Sequence, residues 1–262
     1  MTSVACCSGI IDKGIPEGHE EKIDGVNCYV TPRSNISNNK VAVVILSDVF
    51  GYKLPNTRLI ADNFSKQLSV LVIAPDLFNG FYVPPNLMDT INILSGAKKG
   101  SFLTKVYGFF KLLWYLIPFR LRNLSKKSQD LSEKIIQHLK TNHGIEKIAV
   151  QGYCWGGALA TYLGQKANII DVFASAHPGG LKVPLDFDKV IKPACFILPE
   201  KDHITAEQIE IIKQIFVKKV DTEKLFPFLV KDYPKMVHGF AVRGTNYYKN
   251  VIIVIKFTTV YN

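Results

Sequence analysis

Apolar positions in this chain fall into two rhythms. Residues 41–46, 70–74, 148–150, 171–176, 194–198 and 226–230 form short, mostly apolar runs rich in β-branched side chains. A half-exposed strand would alternate, so such runs predict strands covered on both faces of a parallel sheet. Between them the spacing changes to three and four. Leu59, Ile60, Phe64 and Leu68, then Leu131, Ile135, Ile136 and Leu139, then Ile209, Ile212, Ile215 and Phe216 predict helices over residues 55–68, 128–140 and 205–219. Residues 22–31 alternate loosely and read as an edge strand, followed by a polar loop over 33–40. Alternation of strands and helices gives an α/β fold with a mostly parallel central sheet and helices on both faces. We expect a tail over 1–21 and a single domain over 22–262, with no repeat, low-complexity tract or linker.

One stretch fits neither rhythm. Residues 102–119 are almost continuously apolar, broken by Lys105 and Lys111, and the 6 residues between Lys111 and Pro118 fall far short of the about 20 that a membrane span needs. Two readings stand. The favoured one is a buried or cap helix beside the functional site, because apolar stripes usually pack inside. The other is an interfacial helix lying on an anionic membrane.

Charge makes the second reading worth keeping. The chain carries 32 Lys+Arg against 22 Asp+Glu, net +10. Much of the excess lies at Lys98, Lys99, Lys105, Lys111, Arg120, Arg122, Lys126 and Lys127, with no acidic residue from 90 to 129. Such a patch attracts anionic substrates, lipid head groups or nucleic acid; without a nucleic-acid module around it, that last partner is not expected. With 47% hydrophobic residues the chain can bury a core and is not of disordered composition. The cysteines, Cys6, Cys7, Cys28, Cys154 and Cys195, are odd in number and irregularly spaced, without zinc-ligand spacing. The N-terminus lacks the basic and apolar regions of a signal peptide. A reducing, cytoplasmic setting is expected, with Cys6 and Cys7 in a solvated tail rather than acylated.

The chemistry gathers at Gln151-Gly152-Tyr153-Cys154-Trp155-Gly156-Gly157, between an apolar run and a small-residue helical segment. Strand, glycine-flanked turn and helix in that order form a nucleophile elbow, with Cys154 at the helix N-terminus where a thiolate is favoured. A thiol nucleophile needs a base, and the base needs an orienting group. In elbow folds the order is nucleophile, acid, histidine. Asp202, after the 194–198 strand, and His238, after the next, satisfy it. His203 reads as an exposed loop histidine and His177 as a pocket-lining residue; His19, His138 and His143 precede the elbow and are set aside. Backbone N–H groups of Trp155 and of Val49 or Phe50 are the candidate oxyanion donors.

These motifs, with Asp48-Val49-Phe50-Gly51, Pro55-Asn56-Thr57-Arg58, Pro75-Asp76-Leu77-Phe78, Lys201-Asp202 and His238-Gly239-Phe240, resemble the dienelactone hydrolase (carboxymethylenebutenolidase) family. The resemblance implies an α/β-hydrolase fold, a Cys154-His238-Asp202 triad, hydrolysis of a lactone or activated ester, and no metal or organic cofactor. It also implies that Asp48 contacts the resting thiol, a place where some members carry the longer glutamate. Family substrates often carry a carboxylate, for which Arg243 is the candidate partner. Expected partners are thus a small-molecule lactone or ester and, for assembly, monomer or homodimer. The insert at 98–127 departs from the pattern. So does the end: a β-branched run over 247–258 stands where an amphipathic helix is expected, which raises the expectation of a truncated or mis-spliced terminus. Two other functions remain in play, a non-catalytic binding protein on the same fold and a membrane-surface protein using 102–127.

Overall fold

A computed structural model describes residues 11–244, apart from 88–89, 91–92, 94–98, 123–124 and 224–227. Its strands are β1 (His19–Ile23), β2 (Val26–Val30), β3 (Asn38–Leu46), β4 (Val70–Pro75), β5 (Lys147–Tyr153), β6 (Val172–Ala176), β7 (Ala194–Lys201) and β8 (Phe228–Val237). They form one sheet in the order β1-β2-β4-β3-β5-β6-β7-β8. The helices are α1 (Pro55–Leu68), α2 (Phe102–Arg122), α3 (Ser125–Asn142), α4 (Trp155–Leu163), α5 (Leu185–Asp188), α6 (Ala206–Glu223) and α7 (Phe240–Arg243).

From β4 to β8 every pairing is parallel. Val43, Val44, Ile45 and Leu46 of β3 are all buried, so both faces of that strand are covered, as its unbroken apolar run requires. The step from β3 to β4 runs against the direction of the later steps from β4 through to β8. Right-handed crossovers therefore set α1 on one face and α3, α4 and α6 on the other. All parallel strands end at the same edge, which is where the sequence places Ser47-Asp48, Cys154, His177 and Asp202.

The expected edge strand over 22–31 is instead a hairpin. Asp24 and Gly25 both have positive φ, 46° and 80°, the backbone of a tight two-residue turn, and β1 pairs antiparallel with β2 from His19↔Val30 to Ile23↔Val26. The expected tail boundary moves with it. β1 begins at His19, and residues before it dock on α1: the Asp12 N–H donates to Asn56 Oδ1 at 3.0 Å and the Glu17 N–H to Asp62 Oδ2 at 2.9 Å. The last two strands run longer than their apolar cores. β7 reaches Lys201 and β8 reaches Val237, paired with each other at that point, so each hands the chain directly to Asp202 or His238. Cys6, Cys7 and the 247–258 run lie outside the described residues.

The segment at 102–119 is helical; the buried half of the expectation is overturned, while its place beside the site is seen at one end only. Phe102, Leu103, Tyr107, Phe109, Phe110, Trp114 and Ile117 of α2 are exposed. Its end reaches the core through Phe119, whose ring centroid lies 5.0 Å from Phe78 and 5.6 Å from Trp155. Burial by periodicity alone presumes a neighbouring face to pack against, and most of α2 has none among the described residues. No helix there is long and apolar enough to cross a membrane.

The elbow rests on a very close approach of α4 to β3. A Cβ on Gly156 would stand 2.0 Å from the Leu46 carbonyl oxygen, and one on Gly152 would stand 2.1 Å from the Gly156 oxygen. Both obstacles are main chain and cannot rotate away. Gly156→Ala should therefore cost about 3 kcal/mol of stability in denaturant unfolding, and a loss under about 0.5 kcal/mol would contradict this packing.

Candidate active site

Cys154 sits at the corner between β5 and α4 with φ 52° and ψ −111°, a conformation that L-residues avoid. Three backbone hydrogen bonds hold it there. Its N–H donates to Ala176 O at 3.0 Å, and its carbonyl accepts from Ala158 N–H at 3.1 Å and Gly179 N–H at 2.9 Å. The corner lifts the sulfur to the N-terminus of α4, where first-turn N–H groups lack intrahelical partners and the helix dipole is positive. Even a Cβ on Gly179 would come within 3.7 Å of the sulfur, so the glycine keeps that approach free of side-chain atoms.

His238 follows β8 and Asp202 follows β7, and the two meet. His238 Nδ1 lies 2.9 Å and 3.1 Å from the two Asp202 carboxylate oxygens. Asp202 has further partners: the His203 ring Nδ1 and the His203 N–H each reach its Oδ1 at 2.7 Å. Burial by itself would raise the Asp202 carboxyl, but the hydrogen bonds from His203 and His238 and the His238 charge outweigh it and hold the group well below its ordinary value. Burial likewise opposes a charged His238. The charge of the Cys154 sulfur, hydrogen bonds with Asp202 and Cys154, and the Asp202 charge together raise it well above 6.5. The Cys154 sulfur and the Asp202 carboxylate thus both act electrostatically on the His238 imidazole.

Asp48 and Arg243 are placed differently from what the resemblance implies. The two form a buried ion pair through Arg243 Nη1 and Asp48 Oδ2, at 5% and 1% side-chain exposure. Asp48 also accepts the Phe50 N–H at 3.0 Å, and the guanidinium lies 4.8 Å from the centroid of the Phe50 ring. Asp48 is thus bound to Arg243 rather than to the thiol, because a carboxylate in an apolar setting takes its nearest fixed cation. Arg243 is correspondingly committed to Asp48 rather than free to receive a carboxylate. Of the two candidate donors near residue 50, the Phe50 N–H is already engaged, which leaves that of Val49.

His177 is fully buried, in a positive-φ conformation (38°). Its ring lies 4.9 Å from that of His238 and 6.1 Å from that of Tyr153, and neither of its nitrogens has a protein partner. Burial, with the His238 and Arg243 charges, pushes it well below 6.5, so it is a neutral neighbour of the relay. The His138 and His143 rings lie tilted to each other with centroids 5.5 Å apart, and His19 pairs with Glu21, both apart from Cys154. Three features went unread in the sequence: the His203 clamp on Asp202, the Asp48–Arg243 pair, and the aromatic wall of Phe78, Phe119 and Trp155. A His directly after the acid was a visible signal for the first.

One group among the described residues has metal-ligand geometry. Donor atoms of Asp202, His203 and His238 lie within 4.8 Å of one another, yet both imidazoles already engage the carboxylate. A separate cavity of about 280 Å³, lined by Ile23, Val30, Leu71, Ile73, Arg33 and His143 among others, shares no residue with the relay.

The profile of the dienelactone hydrolase family matches residues 27–252. The carboxymethylenebutenolidase homolog of Xenopus tropicalis is 28% identical over 87% of this chain and 80% of its own length. The human homolog is 28% identical over 86% and 80%, and the hydrolase tropI of Talaromyces stipitatus 26% over 93% and 87%. Among solved structures, a dienelactone hydrolase from Anabaena variabilis superposes with a TM-score of 0.57 at 12% identity, covering 94% of this chain and 98% of that one. A thermophilic esterase from Thermogutta terrifontis gives 0.57 at 13%, covering 94% of each. At such identities the superpositions speak for the fold.

Two predictions follow from the electrostatics. Asp202, held low, contributes stability that is present above 3.8 and lost as pH falls through its depressed value. His238, held high, contributes stability that is full below 6.5 and lost as pH rises through its raised value. The stability difference between wild type and Asp202→Asn in thermal unfolding should therefore be widest between 3.8 and 6.5. Separately, Arg243→Ala should cost about 3–5 kcal/mol because it leaves the buried Asp48 carboxylate unpaired. The double variant with Asp48→Ala should lose less than the sum of the two single losses.

Proposed function

The chain belongs to the dienelactone hydrolase family of α/β-hydrolases, and from that premise we propose that it hydrolyses a lactone or activated ester through an acyl-cysteine intermediate on Cys154. The observation that carries this reading is the pairing of His238 Nδ1 with the Asp202 carboxylate at 2.9 Å, beside a cysteine held at the strand-to-helix corner with φ 52°. With Nδ1 facing the carboxylate, Nε2 is the nitrogen available to the sulfur.

In the first half-reaction the thiol proton passes to His238 and the sulfur attacks the carbonyl carbon. The resulting oxyanion accepts hydrogen bonds from the Trp155 and Val49 N–H groups, donors already fixed by the fold. Collapse breaks the bond between carbonyl carbon and ring or ester oxygen, and that oxygen takes the proton from His238. From a lactone, the released hydroxyl stays attached to the acyl group. In the second half-reaction His238 removes a proton from water, the hydroxide adds to the thioester carbonyl, and the sulfur departs and recovers its proton from His238. Asp202 stays ionised throughout and stabilises the imidazolium. Loss of one oxyanion donor typically slows turnover about a hundredfold to a thousandfold.

Recognition of an anionic substrate is not assigned to Arg243, whose charge Asp48 already neutralises. The described cysteines Cys28, Cys154 and Cys195 are unpaired, and a working thiol is in keeping with a reducing, cytoplasmic compartment. A binding protein without turnover is not favoured, because binding alone gives no role to an imidazole set against a buried carboxylate.

A panel of lactones and aryl esters tests the proposal. Cys154→Ala should lower turnover about 10⁴-fold or more while its unfolding transition stays near that of wild type. Intact-mass analysis of wild type during turnover should show an acyl adduct that the variant lacks. Undiminished hydrolysis by a folded Cys154→Ala would overturn the reading.

A further inference from the structure

We propose that α2 is an interfacial helix that seats the protein on an anionic lipid surface. Its outward side is apolar to an unusual degree: Phe102, Leu103 and Trp114 are 79%, 77% and 79% exposed, and Val106, Tyr107, Phe109, Phe110 and Ile117 are exposed with them. At roughly 100° per residue these eight positions share one arc of about 160°. The opposite side holds Gly108 and Phe119, which are buried, and Leu112 and Tyr115, which are half-buried. So α2 has two apolar faces, and among the described residues the body of the protein covers only one.

Lysines border the uncovered face. Lys105 falls on one flank of the arc and Lys111 on the other, where long side chains bring an ammonium to head-group level while their methylenes lie along the apolar face. Lys99, Lys126 and Lys127, just beyond the helix at either end, are exposed as well. Across residues 90–129 the sequence holds eight basic residues and no acidic one. This charge selects the occupant. A second copy docked face to face would bring two such cationic borders together, whereas phosphatidylserine-rich lipid supplies the opposite charge. The exposed aromatics suit the same boundary, since Trp and Tyr favour the head-group level. The far end of α2 is anchored through Phe119 to Trp155, the residue after Cys154, so a seated helix would hold the thiol corner in fixed relation to the surface.

Sedimentation of the full chain with vesicles of phosphatidylcholine, alone or mixed with phosphatidylserine, tests this. Binding should occur with the mixed vesicles at low salt and fall at high salt. It should drop about fivefold for each lysine among Lys105, Lys111, Lys126 and Lys127 changed to Gln, and be abolished by Phe110→Gln with Trp114→Gln. Trp114 emission should shift to shorter wavelength on binding, and Trp114→Phe should remove that shift while retaining most of the binding. Ester hydrolysis in free solution should be unchanged in all of these variants, and vesicle binding is read whether or not the hydrolase proposal holds. Three results would overturn the inference: no binding at low salt, equal binding to phosphatidylcholine alone, or a dimer in sedimentation velocity that Phe110→Gln dissociates while vesicles are ignored.

Discussion

The backbone of Cys154 is the constraint on which the rest depends. Holding a β-substituted residue at φ 52° and ψ −111° costs on the order of 1–3 kcal/mol, and the surroundings over-determine it. Ala176, the last residue of β6, and Gly179, just after it, fix its two peptide groups. Gly152 and Gly156 let α4 come close enough to β3 for the corner to form. The strand order then does the remaining work. With β5 at the centre of the parallel set, the ends of β7 and β8 lie on one side of the sulfur and the end of β3 on the other.

Charge is handled around this corner by two separate devices. Asp202 and His238 are partly dehydrated, which disfavours ionising either one, yet His203 and His238 compensate the carboxylate, and Cys154 and Asp202 the imidazole. His203, half exposed, adds two donors to the carboxylate and leaves it little freedom to rotate away from the imidazole. Asp48 and Arg243 form the second device, a charge pair shut off from water. Between the two lies His177, held neutral by its burial. A buried imidazole without charge lets two ionised groups share a small volume without adding a third.

How much of this was legible in the sequence depended on range. Strands β3 to β7 declared themselves through unbroken apolar runs, since complete burial leaves no alternative composition. The nucleophile, acid and histidine were legible because strand ends, chain order and residue type agree on them. The hairpin at Asp24-Gly25 was missed although its turn dipeptide was present, because the loose alternation on either side read as one strand. Asp48 and Arg243 lie 195 positions apart, and neither spacing nor periodicity links such residues; the family resemblance assigned both outward roles that their mutual attraction supersedes. The helix at α2 was visible, but its covering was not. Apolar content reports a preference for leaving water, not which surface satisfies it.

The tie between Asp48 and Arg243 also sets which parts of the chain must be present together. The carboxylate follows β3 and the arginine follows β8, so the contact closes only when the segment after the last strand returns to the end of β3. Two segments 195 positions apart are thereby held by one charge pair shut away from water.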